Sequence, residues 1–294
     1  KIGSSIKNIF KKKFKFFNKK NFKKKKEKNL IFKKQISLLP ILDKEKKLYK
    51  IIRFKDFSIP KKKINKLKPL NCPVVIMAGG EGKRLEPLTK VLPKALMPIE
   101  NKTVLDKIIE SFSKHGLKKY FFILNHKAEM IKAYFKKNNN YTFITEKKPL
   151  GTIGGIKLIK NKFTNFFLTN CDIILKVDYA KIYKFHKRLN NDLTIVISKK
   201  KYQIPYGVCR VQNDILQSFI EKPTINFFTS VGVYIIKNTT LKLLKQNKKV
   251  DFNELLKIAK EKNLKVGTYK VQESKWQDIG QLKEYKEHFK KIYG

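Results

Sequence analysis

A chain of 294 residues is long enough for one large α/β domain and a small appendage. A formal charge of +46 ordinarily points to a polyanionic partner, but Lys, Asn, Ile and Phe are inflated together and only four of the 69 basic residues are Arg, which fits an AT-rich coding sequence better than selection for base readout, so no specific nucleic acid is expected. Cys72, Cys171 and Cys209 are scattered without disulfide or zinc spacing, and no apolar run approaches the ~20 residues needed to cross a bilayer, so a cytoplasmic protein without a transmembrane segment is expected.

Residues 1 to 34 form a Lys-rich segment: 13 of the first 28 positions are Lys against the single acid Glu27, with Ile6, Ile9, Phe10, Phe14, Phe16 and Phe17 interleaved. A basic segment with apolar residues at helical spacing suits an anionic membrane surface or nucleic acid, and equally the worn helix of a lost domain, which is the favoured expectation. Residues 36 to 57 read ISLLPILDKEKKLYKIIRFKDF and resemble the core strand pair of a CBS domain, with Lys46 and Lys47 where a turn glycine would be expected. That departure argues against an adenosine-type regulatory ligand. Residues 60 to 71, lysine-rich with Pro60 and Pro69, read as a linker. The expected division is 1–34, a Lys-rich segment; 35–70, a CBS-like remnant and linker; and 71–294, the main domain.

Val74 to Met77 make a short buried strand that stops at Ala78, and Gly79, Gly80 and Gly82 then turn the backbone. A glycine loop after a strand can aim several backbone N–H groups at one point, which is how phosphate oxygens are held. Arg84 belongs to the same loop, in a chain where a basic position is nearly always Lys. Its planar guanidinium can grip a phosphate with two parallel hydrogen bonds. Pro93 and Lys94 follow, a stiffened turn and a point charge suited to a phosphate whose charge grows during reaction.

Thr103 is placed to cap a helix with the apolar face Val104, Leu105, Ile108, Ile109 and Phe112, with Asp106 at capping-box spacing and Gly116 as the stop. Tyr120 to Leu124 reads as a buried strand, Glu129 to Lys137 as a helix and Tyr141 to Thr145 as a strand ending at Glu146. This alternation predicts a Rossmann-like α/β fold: a mixed, mostly parallel sheet with helices on both faces, preceded by a small basic N-terminal appendage. Ligands of such sheets sit beyond the carboxyl ends of the strands, where the glycine loop lies. Asn165 to Leu168 form another strand, with Asp172 in the segment that follows, a carboxylate suited to a hard cation such as Mg²⁺. A strand from Ser218 to Ile220 is closed by Glu221-Lys222-Pro223. Thr239 to Leu244, Phe252 to Ala259, a strand Lys265 to Val271 and a helix Gln281 to Ile292 complete the chain, and His115, His126, His186 and His288 read as incidental.

The run GGEGKRLEPLT followed by PKALMPI is too long to be accidental. It resembles the signature of the sugar-nucleotide pyrophosphorylases, nucleotidyltransferases that join a sugar 1-phosphate to a nucleoside triphosphate. The resemblance continues through LGT, NCD, PYGV, EKP and WQDIG and covers residues 71 to 294. Its wording is closest to glucosamine-1-phosphate guanylyltransferases of legionaminic acid synthesis, a branch whose members often carry a CBS pair ahead of the catalytic domain.

The resemblance implies that Ala78, Gly79, Gly80 and Gly82, with Gly151 and Thr152 of the LGT segment, bind the nucleotide, and that Arg84 and Lys94 are catalytic. It also implies that Glu146, five residues before Gly151, faces the base edge. A carboxylate accepts two hydrogen bonds and guanine offers adjacent donors at N1 and N2, so GTP is favoured. Asp172 and Asp278 match the family's two metal-binding aspartates, which makes Mg²⁺ the expected cofactor. Tyr206, Gly207, Glu221, Lys222 and Ser230 fall to the sugar phosphate, Glu221 at sugar hydroxyls and Lys222 at the phosphate. Ser230 departs from the family's VNxGxY pattern and lacks the paired donor and acceptor of Asn. The implied partners are a nucleoside triphosphate and a sugar 1-phosphate, and a homo-oligomer is compatible with the resemblance. The expected activity is an Mg-dependent, in-line attack on the α-phosphate that yields an NDP-sugar and pyrophosphate. The alternatives are an inactive sensor of sugar nucleotides, and polyanion or membrane-surface binding through residues 1 to 34.

Overall fold

The computed structural model describes residues 17–18, 38–53, 70–136, 138–160, 163–245, 248–282 and 285–286. The chain divides into two compact units, residues 1–65 and 66–294.

In the first unit, β1 (Phe17–Asn18) runs parallel to β2 (Leu38–Leu42), which pairs antiparallel with β3 (Leu48–Arg53). Asp43 makes the turn between β2 and β3, its carboxylate accepting the N–H groups of Glu45 and Lys47 at 2.9 Å each. Lys46 adopts φ 59°, the left-handed conformation for which a glycine was expected. Leu39 and Ile41 are buried while Leu48, Tyr49 and Ile51 are exposed. Of the Lys-rich segment only Phe17–Asn18 is described, and it is extended rather than helical; the rest of 1–34 and the linker at 60–69 lie outside the described residues.

The second unit is built on a seven-stranded sheet. Along the chain come β4 (Val74–Met77), the short pair β5 (Pro98–Ile99) and β6 (Lys102–Thr103), α1 (Val104–Ser113), β7 (Tyr120–Leu124), α2 (Ala128–Phe135), β8 (Tyr141–Thr145), β9 (Asn165–Asn170) and β10 (Ile173–Leu175). Then follow α3 (Tyr179–Arg188), β11 (Leu193–Gln203), β12 (Val208–Gln212), β13 (Ile215–Ile220), β14 (Thr224–Lys237), α4 (Phe252–Glu261), β15 (Val266–Val271) and β16 (Trp276–Asp278). The sheet order is β15-β11-β14-β9-β4-β7-β8, and β14 alone runs against its neighbours.

Both faces of the sheet are covered, so its central strands are apolar throughout. Val74 and Ile76 pack with Phe112, Tyr120, Phe122 and Phe167 on one face. Val75 packs with Phe121, Ile123, Phe166, Leu168 and Leu255 on the other. The capping box of α1 is formed: Asp106 N–H donates to the Thr103 hydroxyl at 3.1 Å, and Thr103 N–H donates to the Asp106 carboxylate at 3.0 Å. α2 starts at Ala128, one residue before its expected start, because Lys127 turns the chain with φ 52°. α3, capped by Asp178, was not anticipated from the sequence.

Beyond Ser198 the β11–β14 ribbon continues with no third strand among the described residues, and the β12–β13 hairpin stands at its end. Asn213 and Asp214 both take positive φ at the hairpin turn, the backbone that matches the twist of paired strands. Of the expected helix at 281–292, only residues 281, 282, 285 and 286 are described.

Candidate active site

β4, β7, β8 and β9 are parallel neighbours, so their carboxyl ends share one edge and deliver Gly79, Asn125, Glu146 and Asn170 to it. A cleft of about 520 Å³ opens there, lined by Gly79, Gly80, Gly82, Arg84, Lys94, Glu146, Gly151, Thr152 and Asp172 among the residues singled out from the sequence. Ala78 differs from expectation. It is buried and its N–H donates to Ile123 O at 2.8 Å, so it closes the strand rather than lining the cleft.

The glycine loop is held from β7's carboxyl end. His126 N–H donates to Gly79 O at 3.3 Å, Asn125 Nδ2 donates to Glu146 O at 3.0 Å, and Lys127 Nζ donates to Thr89 O and Lys90 O at 2.8 and 2.7 Å. Thr89 in turn donates its hydroxyl to Gly82 O at 3.0 Å. Gly82 has φ 75°, and a Cβ there would lie 2.9 Å from Thr89 Cγ2, so the loop closes only on a glycine. Arg84 sits in the short helical turn Lys83–Leu85, anchored by buried Leu85.

Lys94 and the two aspartates converge. Lys94 Nζ is paired with Asp172 Oδ2. β10 and β16 are antiparallel with Ile173 opposite Asp278, which carries Asp278 back to Asp172 from 106 residues away. Ile279 N–H donates to Asp172 O at 2.9 Å, and Gly280 N–H donates to Asp278 Oδ1 at 2.7 Å. A Cβ on Gly280 would lie 2.7 Å from Lys94 Nζ and 2.8 Å from Asp278 Oδ1, and it would also strike Asp172 Oδ2. Burial opposes the charge on Lys94, but the Asp172 carboxylate, with Asp278 beyond it, outweighs burial and holds the ammonium above the usual lysine range.

The pair of carboxylates fits a hard cation. Asp172 Oδ1 is buried without a hydrogen-bond partner among the described residues, and Mg²⁺ characteristically takes one or two carboxylates and completes its shell with phosphate oxygens and water. Among the described residues no group of three or more His, Cys, Asp or Glu side chains could hold a metal by itself. Cys171, which also lines the cleft, is a poor nucleophile because burial pushes its thiol up to about 12.

Glu146 is 6% exposed, tucked against Gly79 and Gly155. Among the described residues its Oε1 has no hydrogen-bond partner, and burial pushes the carboxyl up to about 7. Lys249 and Asp251 also line the cleft and were not anticipated. No sequence pattern marks them; a contact across 99 residues puts them there.

The residues expected on the sugar side gather elsewhere. Tyr206, Gly207, Glu221 and Lys222 lie at the foot of the β12–β13 hairpin and do not line the cleft. Gly207 packs against the Phe219 ring, and a Cβ there would reach Glu221 Oε2 at 3.1 Å. Lys222 adopts φ 45°, a backbone conformation that costs a non-glycine residue energy and recurs at ligand sites. Ser230 donates to Tyr234 OH at 3.0 Å and accepts Gly232 N–H at 3.3 Å. Gly232 approaches Asn170, which does line the cleft.

A glycine loop, cationic side chains and two carboxylates at the carboxyl edge of a doubly wound sheet define an α/β protein with its ligand site in the position general to that class. The chain belongs to the Nucleotidyl transferase family, whose profile matches residues 73–293. It is 31% identical over 226 residues to mannose-1-phosphate guanyltransferase of Yarrowia lipolytica, covering 72% of this chain and 61% of that protein. Against the enzyme of the same name from Schizosaccharomyces pombe it is 29% identical, with 72% and 61% covered. The chain thus spans about 61% of the length of these curated relatives. Among solved structures, HddC from Yersinia pseudotuberculosis superposes with TM-score 0.58 at 25% identity, covering 75% of this chain and 99% of that one. The same protein complexed with GMP-PN gives 0.56 at 26% identity, with 75% and 99% covered. The fold is also that of CTP:phosphocholine cytidylyltransferase from Streptococcus pneumoniae, at TM-score 0.57 and 18% identity over 76% of this chain and 100% of that one.

Proposed function

We propose that the chain is a sugar-1-phosphate nucleotidyltransferase, forming an NDP-sugar and pyrophosphate from a sugar 1-phosphate and a nucleoside triphosphate, with GTP the favoured nucleotide. The observation that carries this is the convergence of Lys94, Asp172 and Asp278 on Gly280, which lines the cleft together with the glycine loop and Arg84. Relatives named mannose-1-phosphate guanyltransferases and a structural neighbour complexed with GMP-PN support the guanylyl reading.

Arg84 and the loop N–H groups would hold the triphosphate. Lys94 would leave Asp172 for the α-phosphate and offset the charge that grows there, and Lys222 would orient the attacking phosphate. Catalysis of this kind is positioning plus charge neutralisation and needs no covalent enzyme intermediate. Asp172 and Asp278 would hold Mg²⁺, whose chemistry there would be further neutralisation of phosphate charge. Glu146 in its ionised form would accept the N1 and N2 donors of guanine.

The sugar is glucosamine 1-phosphate if the legionaminic branch resemblance holds, and mannose 1-phosphate if the named relatives are the better guide. The β2–β3 hairpin supports a CBS-like origin for residues 35–70, and a cytoplasmic setting belongs to the same reading. A pyrophosphate-release screen of GTP, UTP and dTTP against both sugar phosphates tests the proposal. Turnover with GTP that falls on the order of 10²-fold or more in Asp172→Ala is expected. Equal turnover with UTP would remove the argument from Glu146, and no pyrophosphate from any pair would contradict the activity.

A further inference from the structure

Asp251 precedes α4 in the N-cap position, yet its side chain makes no capping bond to its own helix. An N-cap Asp ordinarily accepts the N–H of the second or third helical residue. Here Asp251 Oδ1 instead accepts the backbone N–H of Thr152 at 3.0 Å, and Thr152 Oγ1 accepts the N–H of Phe252 at 2.8 Å. The exchange of caps joins the LGT segment to the start of α4 across about a third of the chain.

The clasp has more than one bond. Ile153 N–H donates to Val250 O at 3.1 Å, and Val250 N–H donates to Leu150 O at 2.9 Å. A Cβ on Gly151 would lie 2.6 Å from Val250 O, and one on Gly154 would lie 2.8 Å from Lys248 O, so both glycines are needed for the two segments to meet. Phe252 is fixed from behind by stacking on Tyr234 at 3.8 Å between ring centroids, and Tyr234 OH accepts the hydroxyl of Ser230. Gly151, Thr152, Lys249 and Asp251 line the same cleft as Glu146.

We propose that Asp251 is a positioning residue, whose clasp with Thr152 fixes the wall against which the nucleobase lies, so that base selection depends on residues 249–252 as well as on Glu146. This rests on the nucleotidyltransferase reading above. A flat base is discriminated only when its edge meets Glu146 at fixed depth, and a wall free to shift would admit pyrimidines as readily as guanine.

The test measures Mg-dependent binding of GTP and UTP to the full chain and to Asp251→Ala, Asp251→Asn, Thr152→Val and Thr152→Ser, together with thermal unfolding and hydrogen exchange of residues 147–156. Asp251→Ala, which removes the charged acceptor of the Thr152 N–H, is expected to lower the GTP to UTP affinity ratio by about tenfold, and Thr152→Val, which removes the neutral acceptor of the Phe252 N–H, by about fivefold. Both should speed exchange in 147–156 with little change in unfolding temperature. Asn keeps the acceptor and Ser keeps the hydroxyl, so both conservative variants should retain the ratio. An unchanged ratio in Asp251→Ala overturns the clasp, as does a loss in Asp251→Asn equal to that in Asp251→Ala, which would assign the effect to charge. Failure of the unsubstituted chain to bind either nucleotide overturns the function reading, and the role of the clasp with it.

Discussion

Lys94 and Asp172, 78 residues apart in the chain, are paired inside the cleft with side chains only 19% and 13% exposed. Lys94 Nζ engages only Oδ2 of the Asp172 carboxylate, and Asp278 lies beside them at Gly280. On the proposed function, a triphosphate oxygen would compete with Asp172 for the ammonium. Removing one partner leaves the other charge in a poorly solvated place. Asp172→Asn and Lys94→Met should each lower stability, and the double variant should lose less than the sum, with a coupling of about 0.5–3 kcal/mol in a chemical-unfolding cycle. All three variants should lose turnover.

Glu146 carries a pH dependence. Its carboxyl is pushed by burial from 4.5 up to about 7, so below that pH the side chain is protonated and cannot accept two hydrogen bonds. GTP affinity should rise from pH 6 to pH 8 and level off above the pKa, and Glu146→Gln should flatten the profile at its weak end. Stability runs the other way. The folded state holds a proton that the unfolded chain releases above 4.5, so the contribution of this group is greatest at low pH and is lost as pH rises through about 7. Glu146→Gln should accordingly unfold at higher temperature than the unsubstituted chain at pH 8. Calorimetric titration and thermal melts at three pH values check both signs.

Much of the site was legible because its determinants are local. The glycine loop, Arg84 and Lys94 lie within one stretch, and the capping box of α1 needs only Thr103 and Asp106, three residues apart. Asp172 and Asp278 could be matched as motifs, yet their meeting depends on the β10–β16 pairing, which no local pattern encodes. The burial of Glu146 and the wall formed by Lys249 and Asp251 depend on tertiary packing for the same reason. The β11–β14 ribbon escaped notice because its outer half exposes Tyr202, Phe227 and Phe228, so apolar spacing there does not report a core.

Lys127 is expected to matter although it does not line the cleft. Its ammonium holds the carbonyls of Thr89 and Lys90, and Thr89 holds Gly82. Lys127→Met should raise KM for the nucleotide several-fold with a smaller effect on KM for the sugar phosphate, and Lys127→Arg should restore most of the loss. Steady-state kinetics with each substrate varied in turn measure the split.

His186, expected to be incidental, is a buried structural group bonded to Thr194 Oγ1 at 2.8 Å and Asn165 Oδ1 at 3.2 Å. Burial lowers its pKa from 6.5 to about 4. The folded state therefore resists a proton that the unfolded chain accepts, so this contribution is complete above pH 6.5 and is lost as pH falls toward 4. The loss should be on the order of 3 kcal/mol. Chemical unfolding across that range should show it, and His186→Asn should flatten the acid limb.

The stereochemical course at the α-phosphorus tests the central claim most directly. With one diastereomer of guanosine 5′-O-(1-thiotriphosphate) and a sugar 1-phosphate, direct attack by the sugar phosphate in this cleft predicts a nucleotide sugar with inverted configuration at phosphorus. Retention would require an intervening covalent intermediate and would contradict the account.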